Sequence, residues 1–318
     1  MLKKLANYQP GVQSLWQGRT DSLPGERFFQ RVICQNAENQ PIEPNHKIAF
    51  LGFSCDEGVK RNSGRPGAQQ GPDALKAQLA KLPYHGRHQF IDGGNILCTD
   101  SDLESAQQQL AELIKYYQHN EIKTVIFGGG HEIAWSHFNG LVKKYPRLGI
   151  INFDAHFDLR PLADKKGTSG TPFYQISQYC EQNNLLFSYC CLGIQPHANT
   201  TSLFNTASKL NVSYLTAEQI THDSPANQIR FLDKFLSTHE AIYLTICLDV
   251  FADCIAPGVS APQPLGLFPW QTLPLLKYIV QTGKVVSFDI AELSPPWDQE
   301  QRTARLAANI AAELIELL

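Results

Sequence analysis

The chain has 318 residues, 43% hydrophobic and 18% charged, with a formal net charge of -3 and a pI near 6.4. That length allows one large or two ordinary domains with a sizeable core, and the low charge excludes a disordered chain. The slightly acidic balance excludes the basic patch of a sequence-independent nucleic-acid binder, and no apolar run reaches the roughly 18 residues of a bilayer span.

The opening MLKKLANYQPGVQS has two lysines without an apolar segment behind them, so a soluble, cytoplasmic protein with neither membrane nor nucleic-acid partners is expected. Its eight cysteines are scattered and none forms C-x-x-C, which predicts reduced, mostly buried thiols. Residues 1–45 show no clear periodicity and are expected to form an N-terminal extension packed on a single domain over 46–318.

From there, short apolar runs recur: KIAFLGF from Lys47, TVIFGGG from Thr124, LGIINFDAH from Leu148, LFSYCCLGI from Leu186, AIYLTICLDV from Ala241 and KVVSFDIAEL from Lys284. They have the length of strands, are rich in Val, Ile, Phe and Tyr, and run on without alternation, as in a parallel sheet covered on both faces. Helix-like stretches lie at Leu103 to Gln118, Ala217 to Leu236, Trp270 to Gln281 and Gln301 to Leu318. The alternation predicts a three-layer α/β/α fold with a mostly parallel central sheet.

In such sheets ligands bind beyond the carboxyl ends of the strands, so the polar residues there are the first functional candidates. The run from Leu148 ends in Asp154-Ala155-His156-Phe157-Asp158-Leu159-Arg160. On an extended chain, alternate residues share a face, so Asp154, His156 and Asp158 are expected to converge as oxygen and nitrogen ligands for a divalent ion such as Mn²⁺. The alternative is a polar loop with Asp154 capping a helix.

The second run ends Gly128-Gly129-Gly130-His131-Glu132. It fails G-x-G-x-x-G because residue 133 is Ile, and His131 and His137 lie too far apart for an H-E-x-x-H zinc site. The run from Ala241 places Cys247 and Asp249 two apart, and an Asp ending an apolar strand is costly unless it is paired or binds a cation. Glu292 follows the last run. Together these strand ends suffice for two ions sharing ligands, which could hold a bridging hydroxide as nucleophile.

These residues, with Ala256-Pro257-Gly258-Val259-Ser260-Ala261-Pro262, resemble in order the signature blocks of the ureohydrolase (arginase/agmatinase) superfamily from about Ile48 onward. The tokens Arg61-Asn62-Ser63-Gly64-Arg65-Pro66-Gly67, Phe157 to Arg160 and Ser169-Gly170-Thr171-Pro172-Phe173 are most similar to its branch that cleaves N-formimidoyl-L-glutamate to L-glutamate and formamide. The resemblance implies an arginase-like fold, a homo-oligomer, and manganese ligands at His131, Asp154, His156, Asp158 and Asp249, with Asp154 bridging.

It also implies that Glu292 holds the amidine, and it places Cys247 where a second bridging aspartate is usual. A metal-bound thiolate and an inert thiol beside a single-metal site both remain open there, since thiolates favour zinc or iron. Asp158 is the candidate proton relay. For a dicarboxylate substrate, Arg160, with Ser169, Arg61 and Arg65, forms the expected substrate-binding set, because guanidinium recognises carboxylate bidentately. The alternatives are a ureohydrolase acting on a guanidine substrate, such as an agmatinase, arginase or guanidinobutyrase, and a non-catalytic, metal-depleted homologue.

Overall fold

The computed structural model describes residues 2–42 and 45–318. Its strands are β1 (Tyr8–Gln9), β2 (Val32–Cys34), β3 (His46–Ser54), β4 (Gln89–Leu97), β5 (Lys123–Phe127), β6 (Leu148–Phe153), β7 (Tyr189–Ile194), β8 (Ser213–Thr216), β9 (Ala241–Cys247) and β10 (Val285–Ala291). They form one sheet in the order β1-β4-β3-β5-β10-β9-β6-β7-β8, with β2 also on β4. Every pairing is parallel except β1 with β4.

The helices are α1 (Glu57–Arg61), α2 (Gly71–Leu79), α3 (Leu103–His119), α4 (Ile133–Leu141), α5 (Pro172–Gln182), α6 (Thr201–Lys209), α7 (Ala217–His222), α8 (Pro225–Leu236), α9 (Pro269–Gln281) and α10 (Arg302–Ile315). Successive strand residues point to opposite faces, and here both faces are apolar: Phe50, Phe127 and Phe153 enter one core while Leu51, Ile126 and Ile150 enter the other. The first core is closed by α2, α7, α8, α9 and α10, the second by α3, α4, α5 and α6. This three-layer, mostly parallel arrangement is the one predicted, and it accounts for the unbroken apolar runs.

The N-terminal segment contributes β1, β2, Trp16 and Phe28 to the same sheet and core. Phe28, Phe90, Phe50 and Phe127 form a stacked row with ring centroids 5.1–5.7 Å apart, and Trp16 stacks on Phe50 at 5.6 Å. The Trp16 indole N–H donates to Asp92 Oδ2 at 2.8 Å, while the fully buried Lys76 ammonium donates to Asp92 Oδ1 at 2.6 Å and Asn95 Oδ1 at 2.8 Å.

One predicted helix divides and one strand was not predicted. The stretch 217–236 is two helices, because Ser224 caps α8 through the Asn227 N–H and Pro225 occupies its first turn. β4, which no apolar run announced, carries Asp92, Gly93 and Gly94 in its interior.

Order in the sheet positions the site. β5, β10, β9 and β6 are consecutive neighbours, so the residues following each of them meet at one end. His131, Glu292, Cys247 with Asp249, and Asp154 to Asp158 come from those four ends.

Candidate metal centre

Local backbone fit aims the first ligand. A Cβ on Gly129 would lie 1.6 Å from the Cys55 carbonyl oxygen, and the Gly130 N–H donates to that oxygen at 3.0 Å. Only glycine lets the loop after β5 lie so closely on the end of β3. His131 is thereby buried with Nδ1 2.9 Å from Asp154 Oδ2 and 2.8 Å from Asp158 Oδ2. That nitrogen nevertheless has no aligned hydrogen-bond partner, so the groups converge as ligands do around a point.

The expectation of an extended segment through Asp158 is corrected. β6 ends at Phe153, the chain bends, and Asp158 adopts the left-handed region with φ 48°. Convergence comes instead from a pinned loop. Asn199 accepts the Phe157 N–H at 3.0 Å and donates to the Ala155 carbonyl at 2.9 Å, and the Tyr189 hydroxyl donates to the Phe157 carbonyl at 3.1 Å. Likewise β9 ends at Cys247, and a 3-10 turn over Leu248–Val250 brings Asp249 round. Asp249 Oδ2 then lies 3.1 Å from His156 Nδ1.

Two groups of potential ligand atoms result: His131, Asp154 and Cys247, and Asp154, His156 and Asp249, each with its atoms within 4.8 Å of one another. Asp154 belongs to both. Its Oδ2 faces His131 and its Oδ1 lies 3.4 Å from His156 Nδ1, the arrangement of a carboxylate shared between two cations.

The electrostatics calls for positive charge. Burial, then the Asp154 charge, pushes Asp158 up to about 6. Burial pushes Glu292 up to about 7 against the pull of Ser260, and burial with the Glu292 charge pushes Glu132 up to about 8. The Cys247 thiol is driven well above its usual range by burial and by Asp154 and Asp249. Asp154 moves oppositely: burial raises it, but His131 and His156 hold it far below the carboxylate range. Acidic groups crowded in a buried concavity are stabilised by a cation, and His131 Nδ1 and Asp249 Oδ1 are buried with no hydrogen-bond partner among the described residues. Nitrogen, oxygen and one sulfur donor thus fit a pair of divalent ions.

His131, His156, Asp158, Cys247, Asp249 and Glu292 line a cavity of about 250 Å³ whose wall also includes Arg160, Ser169, Asn62, Ser63, Asn199 and Ser260. Arg160 forms no ion pair among the described residues. Arg61 and Arg65 are not brought to this wall. Arg61 pairs with Glu57 at 3.1 Å and Glu104 at 2.6 Å, and Arg65 donates to the Val259 carbonyl at 2.6 Å with its guanidinium 4.6 Å from the Trp297 ring centre. They brace the two ends of the Asn62–Gly64 rim. Asn199 and Ser260 went unnoticed as site residues because neither ends a strand.

The model for the Arginase family matches residues 46–316. The chain belongs to the arginase family. Among curated relatives of this arginase-family chain, formimidoylglutamase of Legionella pneumophila (strain Lens) is 55% identical over 317 residues, 99% of each chain. Formimidoylglutamase of Clostridium tetani (strain Massachusetts / E88) is 40% identical over 98% of this chain and 96% of its own. Among solved structures, formimidoylglutamase from Bacillus subtilis aligns with a TM-score of 0.83 at 21% identity over 94% of both chains. Formiminoglutamase from Trypanosoma cruzi, solved with Mn²⁺, gives 0.80 at 22% identity over 92% and 97%. These likenesses show the arginase-type fold.

Proposed function

We propose that this arginase-family chain hydrolyses N-formimidoyl-L-glutamate to L-glutamate and formamide at a centre of two manganese ions. The observation that carries the reading is one site: the fully buried Asp154 is shared between two ligand groups whose other members, with Glu292, line one cavity, and Arg160 stands on its wall as a cation without an ion pair among the described residues. The full-length likeness to curated formimidoylglutamases selects the substrate.

His131, Asp154 and Cys247, with Asp158 beside His131, would hold one ion, and Asp154, His156 and Asp249 would hold the other. Bound there, divalent ions supply Lewis-acid charge and make water acidic enough to serve as a nucleophile near neutral pH. The protein's own groups do the rest. Glu292 Oε2, buried without a hydrogen-bond partner, orients the amidine nitrogens. Arg160, with Ser169 beside it, receives a substrate carboxylate. Asp158, on the cavity wall beside His131, carries a proton from the attacking water to the departing glutamate nitrogen as the C–O bond forms and the C–N bond breaks. Arg61 and Arg65 act through the rim they brace.

Cytoplasmic placement and homo-oligomeric assembly belong to the same proposal and rest on the family likeness. Among the described residues no helix is long and apolar enough to cross a membrane. The test is release of formamide and glutamate, followed by NMR, from formimidoylglutamate mixed with Mn²⁺-loaded protein. Cleavage of agmatine or arginine without that release would replace the substrate, and less than one ion per chain after loading would favour a non-catalytic homologue.

A further inference from the structure

Behind the metal centre lies a second buried polar cluster that the reaction scheme does not use. Asp289, fully buried in β10, receives the Thr245 hydroxyl on Oδ1 at 2.6 Å and the Tyr243 hydroxyl on Oδ2 at 2.5 Å. His137 Nδ1 lies 2.6 Å from the same Oδ2, and His137 Nε2 lies 2.6 Å from Ser287 Oγ. The cluster touches the centre at one point: Thr245 Oγ1 is 3.1 Å from His131 Nε2.

Counting protons along that path fixes a direction. A hydroxyl has one proton, and Thr245 gives its proton to a carboxylate oxygen that has none to return. Toward His131 the Thr245 oxygen can therefore only accept, so Nε2 carries a ring proton and Nδ1 is left as the nitrogen that would face an ion held with Asp154 and Cys247. The partner is itself anchored by a carboxylate whose other oxygen is held by Tyr243 and His137. Among the described residues His156 has no comparable anchor: its Nε2 meets the Gln263 amide nitrogen, at 3.4 Å.

We infer that Thr245 and Asp289 are positioning residues that lock the tautomer and ring orientation of His131, so that one of the two ion sites depends on them and the other does not. The inference rests on the metal-centre reading above. Outer partners of metal-binding histidines typically change metal affinity by about 10- to 100-fold.

The experiment is Mn²⁺ binding, by equilibrium dialysis and EPR, to the wild-type chain, Thr245→Val, Thr245→Ser and Asp289→Asn, with melting temperature recorded for each. The wild type is expected to bind two ions with a spin-coupled EPR signal. Thr245→Val is expected to keep one ion at wild-type affinity and bind the other about 10- to 100-fold more weakly. At Mn²⁺ concentrations that fill the wild type it then shows the signal of an isolated ion. Thr245→Ser, which retains the hydroxyl, is expected to restore the coupled pair. Asp289→Asn is expected to show the same one-site loss, and it carries the test should Thr245→Val not fold. Two wild-type affinities in a folded Thr245→Val or Asp289→Asn, or equal weakening of both ions, would overturn the inference. A wild-type chain that takes up no Mn²⁺ would instead overturn the metal centre itself.

Discussion

Glu292 Oε1 accepts the backbone N–H of His131 at 2.9 Å, joining residues 161 positions apart that leave adjacent strands. The bond ties the orientation of the proposed amidine-binding carboxylate to the loop that carries His131, a candidate metal ligand. Glu292 also sits in the left-handed region with φ 71°, a conformation that costs about 1–3 kcal/mol and persists only where surrounding contacts impose it. Glu292→Gln keeps an acceptor for His131 and loses the charge that faces the amidine. It is expected to lower kcat/KM by about 10²- to 10⁴-fold with unchanged metal content. A loss below tenfold would remove Glu292 from substrate binding.

In the proposed centre Cys247 would give the His131 corner a softer donor set than the His156 corner. Cys247→Asp is expected to shift competition between Mn²⁺ and Zn²⁺ toward Mn²⁺ by on the order of tenfold, about 1.4 kcal/mol. Bound-metal analysis after loading from an equimolar mixture measures the shift. An unchanged ratio would leave Cys247 as a packed thiol outside the coordination sphere.

Arg160 lines the cavity while Arg61 and Arg65 are engaged elsewhere. A charge-assisted hydrogen bond contributes about 1.5–3 kcal/mol, so Arg160→Ala is expected to raise KM about 10- to 100-fold with little change in kcat. Arg160→Lys restores only part of this, since an ammonium cannot grip a carboxylate bidentately. If kcat fell and KM held, Arg160 would act on the reacting atoms instead.

Metal loading is expected to release protons. In the metal-free chain Asp158 is raised from 3.8 to about 6 and Cys247 lies well above its usual range, so ligands must be deprotonated as ions enter. A carboxyl raised on folding contributes stability that is full below its unfolded value and lost as pH rises through its folded value. For Asp158 that window runs from 3.8 to about 6, and the same sign applies to Glu292 up to about 7. The metal-free chain should thus lose thermal stability across the window, and the increment from Mn²⁺ should grow over the same range. Calorimetric titration at pH near 6 in two buffers of different ionisation enthalpy counts the protons; a count of zero would contradict the scheme.

Away from the site, Lys76→Met leaves Asp92 buried without its cation and is expected to destabilise the fold by about 3–5 kcal/mol, read by denaturant unfolding. Changing Lys76 and Asp92 together to apolar residues should cost less than Lys76→Met alone.

The candidate ligands were legible because each interrupts an apolar run: Asp154 and His156 after Phe153, Asp249 after Leu248, Glu292 after Ala291. Their convergence was predicted for the wrong local reason, since bends and a left-handed Asp158, not an extended strand, bring them together. Asp289 carries the same signal as Asp249, a carboxylate within an apolar strand, but its partners Tyr243, Thr245 and His137 lie on other elements, so its satisfaction is visible only in the fold. β4 stayed hidden for a related reason: Asp92 reads as a strand breaker until Lys76 and Trp16 are seen to neutralise and cap it. Arg61 entered the expected substrate-binding set because its second partner, Glu104, belongs to α3, although its first, Glu57, lies one turn earlier on α1.

β1 and β2 share one side of β4, β1 at Asn95 and Ile96 and β2 from Phe90 to Asp92. Without them β4 would present a row of unpaired backbone N–H and C=O groups, a ready template for strand addition by another chain. The opposite margin is the four-residue β8, too short to recruit much. The segment that periodicity left unexplained therefore acts as a selvedge: it finishes the sheet on the side where fraying would lead to aggregation, and Trp16 is the stitch that holds it.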